Sequence, residues 1–316
     1  MKRILVSVVV ALYNEADNIP LLLEKSVAAL QHVDYELILV DDGSTDGSGA
    51  IIKKHLQPEM KLIVLMKNYG QSAAMAAGIN IARGEFIATM DADLQNDPSD
   101  IPVMLAKLRA DNCDLVAGIR AERKDNWLRK VPSRIANKLI RATTGVTLHD
   151  YGCTLKVFRQ DVAKNLGLYG DMHRFIPVLA AMQGASMQEI PVKHHPRIHG
   201  KSKYGIGRTA IVLSDLLLIL FIQKYFQRPM HIFGPLGLLM FFSGVIINGY
   251  LLVDKLKGEE IGGRPLLILG VILLLAGLQL IIFGFVAEIL MRTYYESQHK
   301  KIFRIRSVTE YHTPQP

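Results

Sequence analysis

The segment Asp91-Ala92-Asp93-Leu94-Gln95 contains the residues of this sequence best suited to chemistry. It follows the apolar run EFIATM, which is typical of a buried strand. In an extended chain alternate side chains share a face, so Asp91, Asp93 and Gln95 can point together as three oxygen ligands. Hard oxygen ligands suit Mg²⁺ or Mn²⁺, usually shared with the phosphates of a substrate. The alternative interpretation is an acidic loop that caps the next helix.

A second acidic pair, Asp41-Asp42, follows another apolar run and precedes Gly43-Ser44. Two carboxylates after a strand can bind ribose hydroxyls or the edge of a base. The same residues also suit a turn and a helix cap. The sequence has neither the glycine-rich motif of dinucleotide-binding folds nor that of P-loop proteins, so it favours neither class.

The elements that must position these residues alternate between strand and helix. This order predicts an α/β fold with a doubly wound, mostly parallel sheet, whose ligands bind at the carboxyl ends of the strands. The chemistry is therefore expected at Tyr13–Glu15, Asp41–Ser44, Lys67–Gly70 and Asp91–Gln95. We predict strands over Ile4–Ala11, Tyr35–Val40, Lys61–Met66, Glu85–Met90 and Asp114–Gly118, and helices over Asp17–Gln31, Thr45–His55, Gln71–Ala82 and Asp97–Arg109.

Two apolar segments near the end of the sequence predict a pair of membrane spans. Pro229–Val253 and Pro265–Ala287 contain no Asp, Glu, Lys or Arg, and a span needs about 20 apolar residues. Two buried core helices are the alternative. The excess of Lys and Arg outside the intervening loop predicts cytoplasmic termini. The expected organisation is an α/β domain over 1–207, an amphipathic interfacial helix over 208–228, spans at 229–253 and 265–290, and a cytoplasmic tail over 291–316.

Glycines in the spans predict close helix contacts. Gly270, Gly277 and Gly284 recur every seven residues and so share one helix face. We expect a homo-oligomer formed through these spans. Packing against lipid is the alternative.

The net charge of +8 is concentrated beside the predicted membrane. Lys193, Arg197, Lys201, Lys203 and Arg208 lie close together, and Arg matches phosphate bidentately. This segment predicts contacts with substrate phosphates, with lipid headgroups, or with both. Nucleic acid is not an expected partner, because the cations cluster next to the spans.

Two smaller features each fit two roles. His173-Arg174 either lines the same site or caps a helix, and Asp150 either orders a substrate or forms a turn. The two cysteines, Cys113 and Cys153, are too few for a disulfide framework, and no CxxC pair predicts zinc.

Four segments together form a recognisable set of motifs: VALYNE at Val10–Glu15, VDDGSTDGS at Val40–Ser48, KNYG at Lys67–Gly70 and MDADLQ at Met90–Gln95. Together they resemble the family-two glycosyltransferases of the GT-A fold. The resemblance is narrower still to polyprenyl-phosphate glycosyltransferases, the group around dolichol-phosphate mannose synthase, and especially to bacterial members that act on undecaprenyl phosphate. The narrower match rests on the two C-terminal spans and on GIR at Gly118–Arg120, Arg134, GKSKY at Gly200–Tyr204, and Arg208. Ala11 departs from the family pattern, which usually has Pro there.

The resemblance implies a role for each matching residue. Asp91, Asp93 and Gln95 would hold Mg²⁺ or Mn²⁺ on the donor diphosphate. Arg120 and Arg134 would bind the lipid phosphate. The nucleotide-sugar would contact Tyr13, Asn14, Glu15, Asp42, Asn68, Gly70, Asp91, Arg197 and Lys203. The residues expected in catalysis are Asp93, Arg120, Arg134 and Lys203, together with Asp150, which the segment HDYGC suggests independently of the resemblance.

The resemblance also implies a reaction: inverting transfer of a sugar from a nucleotide-sugar to polyprenyl phosphate at the inner membrane, for cell-envelope glycosylation. UDP-glucose is the expected donor and GDP-mannose the alternative. A phosphate monoester is already anionic near pH 7, so the acceptor needs no strong general base. The competing hypotheses are another lipid acceptor such as diacylglycerol, a processive polysaccharide synthase, and a non-catalytic sensor of sugar nucleotides.

Overall fold

The structure is a computed structural model that describes residues 4–120, 141, 148–168, 170, 172–198 and 229–297. The chain divides into two compact units, Met1–Asp215 and Leu216–Pro316. Arg134, Lys203 and the interfacial helix predicted over 208–228 lie outside the described residues. The domain boundaries that the sequence analysis gives stay predictions.

The described part of the first unit forms a seven-stranded sheet. Its strands are β1 Val6–Leu12, β2 Tyr35–Asp41, β3 Met60–Val64, β4 Phe86–Asp91, β5 Leu115–Arg120, β6 Lys156–Arg159 and β7 Met187–Val192. Its helices are α1 Ile19–Leu30, α2 Ser48–Lys54, α3 Gln71–Ile81, α4 Asp100–Ala110, α5 Gln160–Lys164 and α6 Ile176–Met182, with a 3₁₀ helix at Met172–Phe175.

The strand order, β3-β2-β1-β4-β6-β5-β7, places β1 and β4 side by side. Strands β1 to β4 pair in parallel, as predicted, and β5 pairs in parallel with β7. Strand β6 is antiparallel to both β4 and β5. Strands β2 and β3 are added on one side of β1, whereas β4 is added on the other side. Such a switch point opens a crevice at the carboxyl ends of the strands.

Strand β1 is buried on both faces, which explains its unbroken apolar sequence. Val6, Val8 and Val10 belong to the main apolar core with residues of α1, α2 and α4. Val9 points to the other face, where α3 packs; a Cβ on Gly78 would lie 2.4 Å from Val9 Cγ1. Glycine at position 78 therefore lets α3 approach the central strand closely.

The second unit contains two long apolar helices, α7 Met230–Leu256 and α8 Pro265–Ser297. Both are long and apolar enough to cross a membrane. They pack against each other, and Arg264 pairs with Asp254 at 2.9 Å across the connecting loop. Helix α7 continues three residues beyond the predicted span, and α8 continues to Ser297.

The glycines of the spans lie where the two helices meet within the chain. A Cβ on Gly237 would lie 2.8 Å from the carbonyl oxygen of Gly277, and one on Gly244 would lie 2.7 Å from that of Gly270. The glycine face therefore has a partner inside the protomer and does not argue for an oligomer. The homo-oligomer stays a prediction.

Replacing Gly277 with Ala should destabilise this helix pair by about 1–3 kcal/mol, because overpacking forces the backbones apart. A Cβ there would lie 2.4 Å from the backbone nitrogen of Phe241, which cannot move aside cheaply. Thermal unfolding in detergent measures the effect. Gly249→Ala is the matched control, since its Cβ would meet nothing within 4 Å in the described chain. Equal destabilisation by both variants would contradict the packing role of Gly277.

Candidate active site

An open cavity lies at the carboxyl ends of β1, β2 and β4, where the sequence predicts the chemistry. Most of the predicted donor-binding residues line it. The lining residues include Tyr13, Glu15, Asp42, Asn68, Gly70, Asp91, Asp93 and Arg197, together with Ala11, Leu12, Gln71, Ala74, Ala92 and His173. The structure thus brings together residues from six separate segments of the chain.

Asp42 is held at one end of the cavity by backbone hydrogen bonds. The amide of Tyr69 donates to its Oδ1 and the amide of Gly70 to its Oδ2, both at 2.8 Å. Gly70 has φ of +94°, a backbone conformation in which a residue with a side chain would be strained. Each carboxylate oxygen retains a second lone pair, so Asp42 can still accept a hydrogen bond from a ligand.

Asn14 has a different position from its predicted neighbours. It does not line the cavity described here. Its side-chain oxygen accepts a hydrogen bond from the amide of Thr45 at 2.8 Å, and its own amide donates to Ser44 Oγ. Asn14 therefore ties the loop after β1 to the loop after β2, and its predicted contact with the donor has no support from the geometry.

Asp91 and Asp93 form the acidic side of the cavity. Gln71 Nε2 donates to Asp91 Oδ1 at 2.6 Å, and Arg197 Nη2 donates to Asp93 Oδ2 at 2.7 Å. Burial of the carboxyl and, next, the negative charge of Asp93 raise the pKa of Asp91 to about 7. Because the negative charge of Asp93 disfavours ionisation of Asp91, a positively charged ligand would be favoured at this side of the cavity.

The predicted extended geometry of this segment is wrong. Strand β4 ends at Asp91, and Leu94 has φ of +59°, so the chain turns after the strand. Gln95 is absent from the described cavity lining, unlike Asp91 and Asp93. Its backbone instead donates to Asp93 Oδ1 and accepts from His195. The metal role of Gln95 stays a prediction.

The carboxylate pair fits a divalent cation of the hard type. Among the described residues, no group of three or more His, Cys, Asp and Glu is arranged to hold a metal. Mg²⁺ commonly takes one or two protein carboxylates and completes its shell with water and substrate phosphates. Asp91 and Asp93 supply that number of ligands, and the mutual repulsion of their charges would be relieved by the ion.

A second constellation lies at the end of β5. Arg120 donates from Nε to Asp150 Oδ2 at 2.6 Å and from Nη2 to Asp150 Oδ1 at 2.7 Å. Asp150 is almost fully buried, and this bidentate pair fixes the plane of the guanidinium. Asp150 thus orients Arg120. The sequence had left open whether Asp150 orders a substrate or forms a turn, and this contact is neither of those two roles.

Glu189 on β7 holds the backbone of the segment that carries Asp150. Its carboxylate accepts hydrogen bonds from the backbone amides of His149 and Asp150 and lies 2.9 Å from His149 Nδ1. The segment that carries Asp150 is therefore fixed to the sheet. Sequence reasoning missed Glu189, because neither β6 nor β7 was predicted.

Two further residues at the site were not predicted. Gln71, the first residue of α3, contacts Asp91 directly, and its place after KNYG at a strand end was the available signal. Lys156 is fully buried in β6 and donates to the carbonyl of Cys153. Burial lowers the pKa of Lys156. Nothing in the local sequence TLKVF marks this lysine as buried.

Comparison with known proteins gives the family. Residues 7–167, which include β2 to β6, all of β1 except Val6 and both acidic segments, match the family described as Glycosyl transferase family 2. The chain belongs to this family. The enzyme is a glycosyltransferase, and its first unit has the GT-A fold.

Relatives extend the similarity along almost the whole enzyme. It is 46% identical to dodecaprenyl-phosphate galacturonate synthase of Rhizobium johnstonii, over 96% of this chain and 92% of the relative. It is 35% identical to undecaprenyl-phosphate 4-deoxy-4-formamido-L-arabinose transferase of Edwardsiella ictaluri, over 98% of this chain and 95% of the relative. Both names describe sugar transfer involving a polyprenyl phosphate.

A solved structure supports the fold. The chain resembles glucosyl-3-phosphoglycerate synthase of Mycobacterium tuberculosis with a TM-score of 0.54, at 15% identity, covering 69% of this chain and 79% of the other. That protein was crystallised with Mn²⁺ and UDP, and also with Mg²⁺ and UDP. At this identity the likeness concerns the fold alone.

Proposed function

We propose that the enzyme transfers galacturonate from UDP-galacturonate to a polyprenyl phosphate. The observation that carries this proposal is the 46% identity to the galacturonate synthase, which extends over the cavity and both apolar helices. The sugar differs from the glucose expected from the sequence, since neither relative described above is named for glucose. Transfer of 4-deoxy-4-formamido-L-arabinose is the second candidate, favoured by the 35% relative.

The donor would occupy the cavity with its nucleoside near Tyr13, Glu15 and Asp42 and its diphosphate near Asp91 and Asp93. This orientation follows from the chemistry of the lining: Asp42 can accept hydrogen bonds from a base or ribose, whereas the paired carboxylates suit a phosphate-bound cation. Mg²⁺ or Mn²⁺ held by Asp91 and Asp93 would supply charge neutralisation for the departing UDP. Arg197 would add a second positive charge to that leaving group.

The acceptor would bind through Arg120, held in place by Asp150. A polyprenyl phosphate is anionic near pH 7, so the protein need not remove a proton from it. Arg120 would direct a phosphate oxygen at the anomeric carbon, and direct displacement would invert that carbon. Arg134 and Lys203 are proposed to assist, on the strength of the sequence resemblance. Two apolar helices in the same chain would keep the enzyme at the surface where such a lipid lies.

Release of nucleoside diphosphate by the detergent-purified full chain tests the proposal. The donors are UDP-galacturonate, UDP-glucose, GDP-mannose and UDP-4-deoxy-4-formamido-L-arabinose, each with and without undecaprenyl phosphate, in Mg²⁺ or EDTA. We expect turnover of UDP-galacturonate that needs both lipid and Mg²⁺. Turnover without lipid would contradict the acceptor, and preference for another donor would contradict the sugar.

A further inference from the structure

Arg197 is a cation in direct contact with the carboxylate pair of the cavity. Its Nη2 donates to Asp93 Oδ2 at 2.7 Å, and the backbone amide of Gln95 donates to Asp93 Oδ1 at 3.2 Å. The contact is largely shielded from water, since the side chain of Arg197 is 22% exposed and that of Asp93 is 11% exposed. Both oxygens of Asp93 thus accept a hydrogen bond, and one of them is already paired with a positive charge.

The backbone that leads to Arg197 is fixed to the acidic segment. The amide of His195 donates to the carbonyl of Gln95 at 2.8 Å, and an antiparallel bridge joins His194 to Asn96. These contacts end two residues before Arg197. They keep its backbone beside the cavity, and they leave a change of partner to the long side chain of Arg197.

Arg197 and a divalent cation would place two positive charges on one carboxylate. A Mg²⁺ ion binds a carboxylate oxygen at about 2.0–2.1 Å, and the guanidinium already lies 2.7 Å from Asp93 Oδ2. Like charges at such separations repel each other, and the repulsion is stronger where water is excluded. A diphosphate reverses this balance, because it supplies oxygen ligands to the metal and is also an acceptor that suits a guanidinium.

We propose that Arg197 couples metal binding to nucleotide binding: it competes with the divalent cation for Asp93 and transfers to the diphosphate when a nucleotide binds. The inference rests on the proposed function, since it takes the cavity to be a site for a nucleotide and a metal. Metal alone then binds weakly, because it must displace Arg197 without compensation. Metal and nucleotide strengthen each other, and thermodynamic linkage requires the same coupling factor when it is measured from either ligand.

Binding of Mn²⁺ and UDP to the full-length protein in detergent tests this coupling without any sugar or lipid. Electron paramagnetic resonance measures Mn²⁺ affinity with and without UDP, and calorimetry measures UDP affinity with and without Mn²⁺. We expect Arg197→Gln to tighten Mn²⁺ binding about fivefold in the absence of UDP, and to weaken UDP binding about tenfold in saturating Mn²⁺. Loss of a merely structural contact would not tighten metal binding.

Two further variants serve as controls. Arg197→Lys keeps the positive charge, so Mn²⁺ affinity without UDP should stay within about twofold of wild type, and UDP should lose less affinity than in Arg197→Gln. Arg159→Gln removes another half-buried arginine, which binds Asn112 and the carbonyl of Cys113 away from the cavity. Both affinities of this variant should stay within about twofold of wild type.

Two results would overturn the inference. Unchanged or weaker Mn²⁺ binding by Arg197→Gln in the absence of UDP would contradict the competition for Asp93. Tighter Mn²⁺ binding with unchanged UDP affinity would contradict the transfer to the diphosphate. A wild-type protein that binds no UDP in Mn²⁺ would instead refute the proposed donor; the Mn²⁺ titration would still judge the competition, and inorganic pyrophosphate would replace UDP in the test of the transfer.

Discussion

Replacing Asp93 with Asn is expected to lower kcat/KM for sugar transfer about 10²–10³-fold, or ~2.7–4 kcal/mol of transition-state stabilisation. Asn keeps the shape of the side chain but removes the charge that binds Arg197 at 2.7 Å and that we propose to act with Asp91 on a cation. Steady-state kinetics at saturating Mg²⁺ measure the loss. Mn²⁺ affinity in the presence of UDP, measured by electron paramagnetic resonance, should fall in parallel.

Asp111→Asn is the control for this change of charge. Asp111 lies at the surface after α4 and pairs with Lys107 at 2.8 Å, an exposed i,i+4 contact worth about 0.3–0.5 kcal/mol. Transfer by this variant should stay within about twofold of wild type, since such a contact changes stability and not the site. Undiminished transfer by Asp93→Asn at saturating metal would refute the metal role of Asp93.

Replacing Arg120 with Lys is expected to raise the KM for polyprenyl phosphate about 10–10²-fold, the effect of losing charge-assisted hydrogen bonds. Lys keeps the positive charge but cannot reproduce the two-point contact with Asp150 or the same geometry toward a phosphate. UDP affinity should not change, because Arg120 is not among the residues described as lining the cavity where we propose that the donor binds. Kinetics with each substrate varied in turn separate the two effects.

Asp150→Asn then distinguishes the two roles of this carboxylate. If Asp150 only orients Arg120, the variant should lose less activity than Arg120→Lys; a larger loss would mean that Asp150 contacts substrate. Arg159→Lys is the matched control, because Arg159 is also half-buried and binds Asn112 and the Cys113 carbonyl away from the cavity. A rise in donor KM instead of lipid KM in Arg120→Lys would contradict the acceptor assignment.

The elements of the first half of the chain were predictable because each has a strong local signal. The continuous apolar run of β1 and the polar residues after it predicted both a buried strand and the place where its loop meets ligand. The described structure agrees within a few residues from β1 to β5. Strands β6 and β7 were missed. Lys156 interrupts the apolar pattern of β6, and Glu189 interrupts that of β7. Both strands also follow a long stretch of sequence in which the apolar residues show no clear periodicity.

The amino-acid sequence by itself determined the family, the alternation of strands and helices in the first half of the chain and the two apolar helices, because these follow from residue type and local spacing. It also identified most of the residues that line the cavity. Only the tertiary structure decided the partners of those residues: Asp150 on Arg120, Gln71 on Asp91, and Ser72 on His173. These contacts join positions 20 to 101 residues apart, and their geometry depends on how the strands and helices pack. Local spacing contains no information about such packing, so the sequence could name the residues of the site but not their pairing.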